Sequence, residues 1–262
     1  MEWIEQLDAG KLVLFTLILT RVSGVVMTVP VFGTTDVPVQ VRALLAVAMA
    51  LLVTPSQWGL SIPYPETMVN YLVVVASELV VGLSLGLGVA ILFTGLEVAG
   101  QMIAQVSGLA IAEVFDPSQE TNVSVFSRLL FLVTLAIFVS IGGHRMVMGG
   151  LLSTFQNIPP GSASLPRPLT EALVSLVTQS FELGIRASAP MVVSLLLANL
   201  ILGLIGRTLP QLNILVIGLG MNSLVTFAVL SLSLGAAAWV FQGRIEPAVQ
   251  AILAALREGT SG

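Results

Sequence analysis

The run "TLPQLNILVIGLGMNSLVTFAVLSLSLGAAAWVFQG" occupies residues 208–243 and contains no Asp, Glu, Lys or Arg. As one α-helix it would be about 54 Å long at ~1.5 Å per residue. The hydrocarbon core of a bilayer is only roughly 30 Å thick. We therefore expect a membrane helix that kinks, breaks or extends beyond the bilayer into surrounding protein.

The composition of the whole chain indicates the same class. Of the 262 residues, 56% are hydrophobic and 9% are charged, whereas soluble domains carry about 25% charged residues. Aromatic residues are few, at 6%. No long stretch alternates between apolar and polar residues as the strands of an outer-membrane barrel do. The sequence therefore predicts an all-α integral membrane protein.

About six apolar helical segments alternate with polar connections along the chain. We expect them over these approximate ranges: 12–31, 39–54, 67–96, 126–150, 169–206 and 211–242. Pro190 lies inside the fifth segment and is expected to bend it. A half-polar central loop (107–124) and a C-terminal tail (244–262) complete a single predicted domain over residues 1–262.

Several kinds of function find no support in the sequence. The formal charges sum to −4 without a basic patch, which argues against nucleic-acid binding. There is no cysteine, and the single histidine, His144, offers neither a metal site nor a general base beside a nucleophile. No phosphate-binding glycine motif occurs. We therefore expect no enzymatic activity, no cofactor and no metal.

Charged residues inside the apolar segments need a polar environment. Arg21, Glu78, Glu97, Glu182 and Arg186 lie within or at the edge of these segments. A central charge costs roughly 2.5–3.5 kcal/mol on membrane-insertion scales, so we expect buried charges that face a bundle interior or water. Glu182 and Arg186 stand four positions apart and can pair. Charge neutralisation at a subunit contact is favoured over a proton relay, because the spacing brings no set of carboxylates together.

Small residues recur every four positions in the third segment. Glu78, Gly82, Gly86 and Ala90 share one helix face, and the two glycines form a GxxxG pattern. Such a pattern lets another backbone approach closely. We assign these four residues to subunit packing, with tight packing inside the chain as the equal alternative.

The central stretch "SGLAIAEVFDPSQETNVS" (107–124) is too polar to span a bilayer. Gly108 loosens the backbone, and the Asp116-Pro117 pair favours extended backbone. Apolar side chains are concentrated in its first half, at Leu109, Ile111, Val114 and Phe115. Irregular backbone at membrane depth is tolerated only inside protein or beside a water-filled cavity. The stretch is therefore either a re-entrant, pore-lining loop or an ordinary loop outside the membrane.

Six short motifs, in a fixed order, carry a family resemblance. They are "RVSGVVMTVP" (21–30), "VPVQVR" (37–42), "GLAIAEVFDP" (108–117), "GGH" (142–144), "STFQNIPPG" (153–161) and "RTLPQLNILVIG" (207–218). Together they cover nearly the whole chain, which resembles the FliR family, called SctT in injectisomes. This family is the R subunit of the type III secretion export gate of bacterial flagella. Gly218-Leu219-Gly220 stands where many relatives are expected to have Gly-Phe-Pro.

The resemblance implies a fold of bent helical hairpins in a heteromeric, helically arranged export gate. The gate lies in the inner-membrane part of the flagellar basal body and exports unfolded flagellar proteins. The implied partners are homologues of FliP and FliQ, then FlhB and FlhA, together with unfolded substrates and membrane lipid, but no nucleic acid.

The resemblance also assigns the central loop as the plug of the closed channel. The plug residues are Gly108, Leu109, Ile111, Val114, Phe115, Asp116 and Pro117. An injectisome subunit is the first alternative, and a small-solute secondary transporter is the second. Transporters often contain an internal repeat with broken helices at matching positions, and no convincing repeat is found here.

Overall fold

A computed structural model describes residues 9–34, 37–59, 67–108, 124–163, 167–209, 211 and 214–258. Within these ranges the chain forms helices and no strand, which confirms the all-α prediction. The helices are α1 (Ala9–Thr28), α2 (Val39–Val53), α3 (Met68–Ser107), α4 (Val125–Ser140), α5 (Gly143–Asn157), α6 (Arg167–Thr208) and α7 (Ile214–Glu258), with a 3₁₀ turn at Thr54–Gln57 after α2.

Several of these helices are long and apolar enough to cross a membrane. Five qualify individually among the described residues, and α4 with α5 together form a sixth, broken candidate span. The protein is therefore an integral membrane protein, as predicted. Helices α3, α6 and α7 contain 40, 42 and 45 residues, about 60–68 Å at ~1.5 Å per residue.

Some segment boundaries differ from the prediction. The third segment continues to Ser107 because α3 runs through the polar residues that end its apolar run. The predicted segment over 126–150 is two helices. It breaks at Gly142, whose φ of 74° favours glycine. The C-terminal tail is not a separate element, since α7 continues through Pro247 to Glu258. Helix α6 likewise continues through Pro190.

The described residues belong to two compact units, between which the chain passes four times. Unit 1 comprises Met1–Ile91, Val139–Leu176 and Ile245–Gly262. Its buried side chains come from α1, α2, the part of α3 before Leu92, α5, the N-terminal end of α6 and the C-terminal end of α7. They include Leu17, Ile18, Leu85, Leu151, Leu176 and Ile252. The single domain over 1–262 stays a prediction.

Helices α1 and α3 approach each other closely in unit 1. A Cβ atom on Gly82 would collide with the backbone carbonyl oxygen of Arg21, and one on Gly86 would collide with the Thr28 hydroxyl. From the other side, a Cβ on Gly24 would lie 2.8 Å from the backbone nitrogen of Leu83. The glycine pattern therefore packs inside this chain, and the assignment of Gly82 and Gly86 to subunit packing is corrected to that alternative. Ala90 lies half-buried further along the same helix.

Unit 2 comprises Leu92–Phe138 and Val177–Arg244. Its core is an apolar cluster contributed by α3, α4, α6 and α7: Ala99, Ile103, Phe126, Leu130, Met191, Leu195 and Leu230. The Phe93 ring lies edge-to-face against three other rings, with centroids 5.9 Å from Phe131, 5.5 Å from Phe138 and 5.4 Å from Phe241. Apolar packing therefore joins these four helix segments.

We expect Gly82→Ala to destabilise the protein by about 1–3 kcal/mol or more, because a backbone oxygen cannot move aside as a flexible side chain can. The matched control is Gly149→Ala in α5, where a Cβ would meet no atom within 4 Å. Thermal unfolding in detergent checks this. A midpoint for Gly82→Ala as high as that of the control would contradict the close α1–α3 approach.

Candidate functional site

The end of α3 leads into the central loop. Of the seven predicted plug residues, the structure describes Gly108. The others (Leu109, Ile111, Val114, Phe115, Asp116 and Pro117) lie outside the described residues. Gly108 has a φ of 80°, and its N–H donates to the Gln105 carbonyl at 3.3 Å. A left-handed glycine of this kind commonly ends a helix.

Two asparagine side chains cap the last carbonyl groups of α3. Asn199 of α6 donates from Nδ2 to the Val106 carbonyl at 3.1 Å. Asn222 of α7 donates from Nδ2 to the Ser107 carbonyl at 3.1 Å and to Asn199 Oδ1 at 2.8 Å. Sequence reasoning missed both residues. The available signal was an amide inside a long uncharged apolar run, 187–206 for Asn199 and 208–243 for Asn222, since such a group needs a partner.

A buried ion pair lies at the centre of unit 1. Arg21 Nε donates to Glu78 Oε2 at 2.6 Å, and both side chains are fully buried. Arg21 Nη1 donates to Thr154 Oγ1 at 3.2 Å and to the Ile158 carbonyl at 3.0 Å. Glu78 Oε1 accepts the Gly161 N–H at 2.7 Å. The pair thus connects α1, α3, α5 and the segment after α5.

Arg21 is buried, as its position in an apolar segment predicts. The guanidinium also lies 4.6 Å from the centre of the Phe155 ring. Its Nη2 atom has no hydrogen-bond partner among the described residues. Glu78, assigned to subunit packing from its spacing, is instead the partner of Arg21 inside the chain. That assignment is therefore corrected.

Glu182 and Arg186 pair inside the chain, with 2.6 Å between Glu182 Oε1 and Arg186 Nη2. Arg244 Nη2 lies 3.9 Å from Glu182 Oε2. The Glu182 side chain is 43% exposed and the Arg186 side chain 62% exposed. The prediction that both are buried is thus wrong for the single chain, because α7 covers this face of α6 only in part.

The described residues offer no grouping for metal chemistry. Within them, no three His, Asp or Glu side chains come together in a way that could hold a metal ion. His144 Nδ1 is buried and has no hydrogen-bond partner in this part of the chain. The buried side chains of Arg21, Glu78, Asn199 and Asn222 instead join helices to one another.

These features define a multi-span, all-α membrane protein whose buried polar groups fix helix positions. The sequence model of the family described as "Bacterial export proteins, family 1" matches residues 12–248. The chain belongs to this family, and the resemblance indicated by the six motifs is confirmed. It is therefore a membrane-embedded component of protein export.

Curated relatives span most of this chain. The Flagellar biosynthetic protein FliR of Aquifex aeolicus is 32% identical over 84% of this chain and 86% of its own length. The Flagellar biosynthetic protein FliR of Caulobacter vibrioides is 28% identical over 87% of this chain and 91% of its own length. The Secretion system apparatus protein SsaT of Salmonella typhimurium is 26% identical over 63% of this chain and 64% of its own length.

We expect Glu78→Gln to destabilise the protein by about 3–5 kcal/mol, because it leaves the Arg21 charge buried without its counter-ion. Chemical unfolding of the detergent-solubilised chain measures this loss. Glu182→Gln is the matched control. It removes a carboxylate from an exposed pair, and such pairs contribute roughly 0–1 kcal/mol.

The double variant Arg21→Met with Glu78→Leu should recover part of the loss, since an apolar pair avoids the desolvation of two ions. Equal destabilisation by Glu78→Gln and Glu182→Gln would contradict the central position of the Arg21–Glu78 pair.

Proposed function

We propose that this chain is a subunit of the flagellar type III export gate in the inner-membrane part of the basal body. It helps form and close the channel through which unfolded flagellar proteins pass. It has no catalytic activity of its own. Membership of the bacterial export family over residues 12–248 is the observation that carries this proposal.

The lengths and surfaces of the helices support a heteromeric assembly. Helix α6 has 42 residues, or about 63 Å at ~1.5 Å per residue, roughly twice the bilayer core. Exposed apolar side chains run along α6 and α7: Val193, Leu196, Leu200, Leu204, Leu224, Leu232 and Trp239. A helix of this length that stands upright extends beyond the bilayer core, and we propose that partner subunits cover the part outside lipid.

Homologues of FliP and FliQ are the partners proposed to cover this surface, with FlhB and FlhA homologues as further components. In this proposal the complex contains one copy of this chain and several copies each of the FliP and FliQ homologues. Membrane lipid covers the remaining apolar faces. Unfolded export substrates are the molecules that pass.

The central loop is proposed to seal the closed channel. Its first half carries Leu109, Ile111, Val114 and Phe115, and apolar side chains at a constriction block ions by excluding water. The Asp116-Pro117 sequence favours extended backbone, and we propose that a passing chain can displace the mostly polar half of the loop after it. Gly108, with its φ of 80°, ends α3 at the base of this loop.

An injectisome subunit is the second candidate, and the similarity to SsaT is the observation that favours it. That similarity is 26% identity over 63% of this chain. The two FliR proteins match at 32% and 28% identity over 84% and 87% of it. The flagellar assignment therefore has the broader support.

We expect this chain, co-expressed with the FliP and FliQ homologues of the same genome, to yield a stable complex containing one copy of it and several of each partner. Native mass spectrometry in detergent gives the stoichiometry. Loss of motility on deleting the gene separates the flagellar from the injectisome assignment. A chain that purifies alone, without either partner, would contradict the gate assignment.

Deleting residues 109–115 should make the membrane leak small ions while the complex still assembles, because the apolar seal is removed. Permeability is measured in cells that contain the assembled variant. Replacing 118–122 with an equal number of Gly and Ser residues is the control and should leave permeability unchanged. Wild-type permeability in the assembled deletion variant would refute the plug.

A further inference from the structure

Two arginines of unit 2 share one carboxylate on the surface of the chain. Arg186 of α6 lies 2.6 Å from Glu182, and 62% of its side chain is exposed. Arg244 of α7 lies 3.9 Å from the other oxygen of Glu182 and is 31% exposed. Its Nη1 atom donates to Gln179 Oε1 at 3.4 Å. Two positive charges and one negative charge leave this arginine cluster (Glu182, Arg186 and Arg244) with an uncompensated positive charge.

An apolar groove between α6 and α7 begins at the arginine cluster. Arg186 and Ser233 contribute to its lining together with apolar side chains from both helices: Leu183, Ala187, Pro190, Ala237 and Val240. A phospholipid has the matching chemistry, because its phosphate is anionic and its glycerol leads into apolar chains. Basic pockets between membrane helices bind the headgroups of such lipids.

The arginine cluster also lies at the end of an apolar run that has the length of a bilayer. Residues 187–206 of α6 contain no Asp, Glu, Lys or Arg, and Arg207 follows them. At ~1.5 Å per residue this run is about 30 Å long, which is the thickness of the hydrocarbon core. The border of the run at Arg186 therefore matches the level of the lipid phosphate groups.

Helix α7 gives the same border. Its Asn222 bonds to Asn199 and its Arg244 lies beside Glu182, so within unit 2 the helix runs antiparallel to α6. Trp239 precedes Arg244 by five positions and is 77% exposed. Tryptophan is enriched at the interface between membrane and water. Both helices thus change from apolar to charged at one level.

We propose that Arg186 and Arg244 bind the phosphate of an anionic phospholipid, whose glycerol and first chain carbons occupy the groove between α6 and α7. The phosphate supplies the negative charge that the cluster lacks, and a guanidinium can donate two parallel N–H groups to it. Glu182 repels the phosphate and so limits its affinity. The site lies within unit 2 and goes beyond the proposed function, which assigns no lipid to any residue.

An acidic side chain of a partner subunit would also match the charge of the cluster. The position of the groove favours a lipid, because the groove continues from Arg186 into the apolar run at Ala187 and Pro190. A lipid follows the same course from its phosphate into the hydrocarbon core. A carboxylate on a partner helix would need no such groove.

The experiment uses the complex with the FliP and FliQ homologues in detergent. The probes are phosphatidylglycerol with a photoreactive diazirine early in one acyl chain and the matching phosphatidylcholine. Mass spectrometry quantifies labelled peptides covering 183–190 and 233–240. We expect phosphatidylglycerol to label them at a lower concentration than phosphatidylcholine. Arg186→Gln and Arg244→Gln should each raise the half-maximal concentration of phosphatidylglycerol about fivefold.

Two further variants separate binding from folding. Glu182→Gln removes the competing carboxylate and should lower the half-maximal concentration of phosphatidylglycerol by a similar factor, a gain that misfolding cannot produce. Arg207→Gln is the matched control, because it removes an exposed arginine from the other end of the same run. It should leave labelling of the groove unchanged.

Equal labelling by the two lipids, or wild-type labelling in both Arg186→Gln and Arg244→Gln, would overturn the site. An equal loss in Arg207→Gln would do the same, since general surface charge would then explain the effect. A wild-type groove that takes no label, with partner subunits lost from the Arg186→Gln complex, would identify a partner carboxylate instead. If the wild-type chain forms no complex with these partners, the proposed function fails, and labelling of the full chain alone still decides the lipid site.

Discussion

The fold of unit 1 depends on burying one ion pair in an apolar environment. Removing Arg21 and Glu78 from water is costly, and only good geometry with further hydrogen bonds offsets that cost. The structure supplies these bonds from Thr154, Ile158 and Gly161, which lie more than 70 positions along the chain from either charge. The ion pair is therefore satisfied only when α1, α3 and α5 are all in place.

The buried polar groups of unit 2 are neutral amides and hydroxyls, in contrast to the ion pair of unit 1. In the described part of unit 2, the amides of Asn199 and Asn222 bond to backbone carbonyls, and the Ser127 hydroxyl donates to the Glu97 carbonyl at 2.8 Å. The charged pair of Glu182 with Arg186 is exposed. Neutral amides and hydroxyls are less costly to bury than ions. Helices α3 and α6 also approach each other closely at two glycines in this unit. A Cβ atom on Gly184 would collide with the Gly95 carbonyl oxygen.

The sequence predicts what depends on local pattern. Uncharged runs identify the membrane helices, and the spacing of Glu182 and Arg186 predicts their pairing. Glu97 and Gln101 end the apolar run, yet both residues favour helix, so α3 continues past the predicted end. The GxxxG pattern identifies a close approach without identifying the approaching helix.

What the sequence leaves open depends on tertiary contacts. Arg21 and Glu78 are 57 positions apart, so no periodicity pairs them. The exposure of Glu182 and Arg186 depends on which helices cover α6, and spacing carries no information on that. Asn199 and Asn222 belong to no motif, because they bond to each other across 23 positions and to backbone carbonyls, which every residue has.

The buried ion pair of unit 1 and the amide hydrogen bonds of unit 2 differ in the free energy needed to break them. Removing one partner of a buried ion pair costs about 3–5 kcal/mol, whereas hydrogen bonds between membrane helices average about 0.6 kcal/mol. The Arg21–Glu78 pair of unit 1 is therefore the costlier contact to break. Each amide bond of Asn199 and Asn222 to the end of α3, in unit 2, is the weaker one. A local rearrangement of helices thus meets less resistance at the end of α3 than around the ion pair.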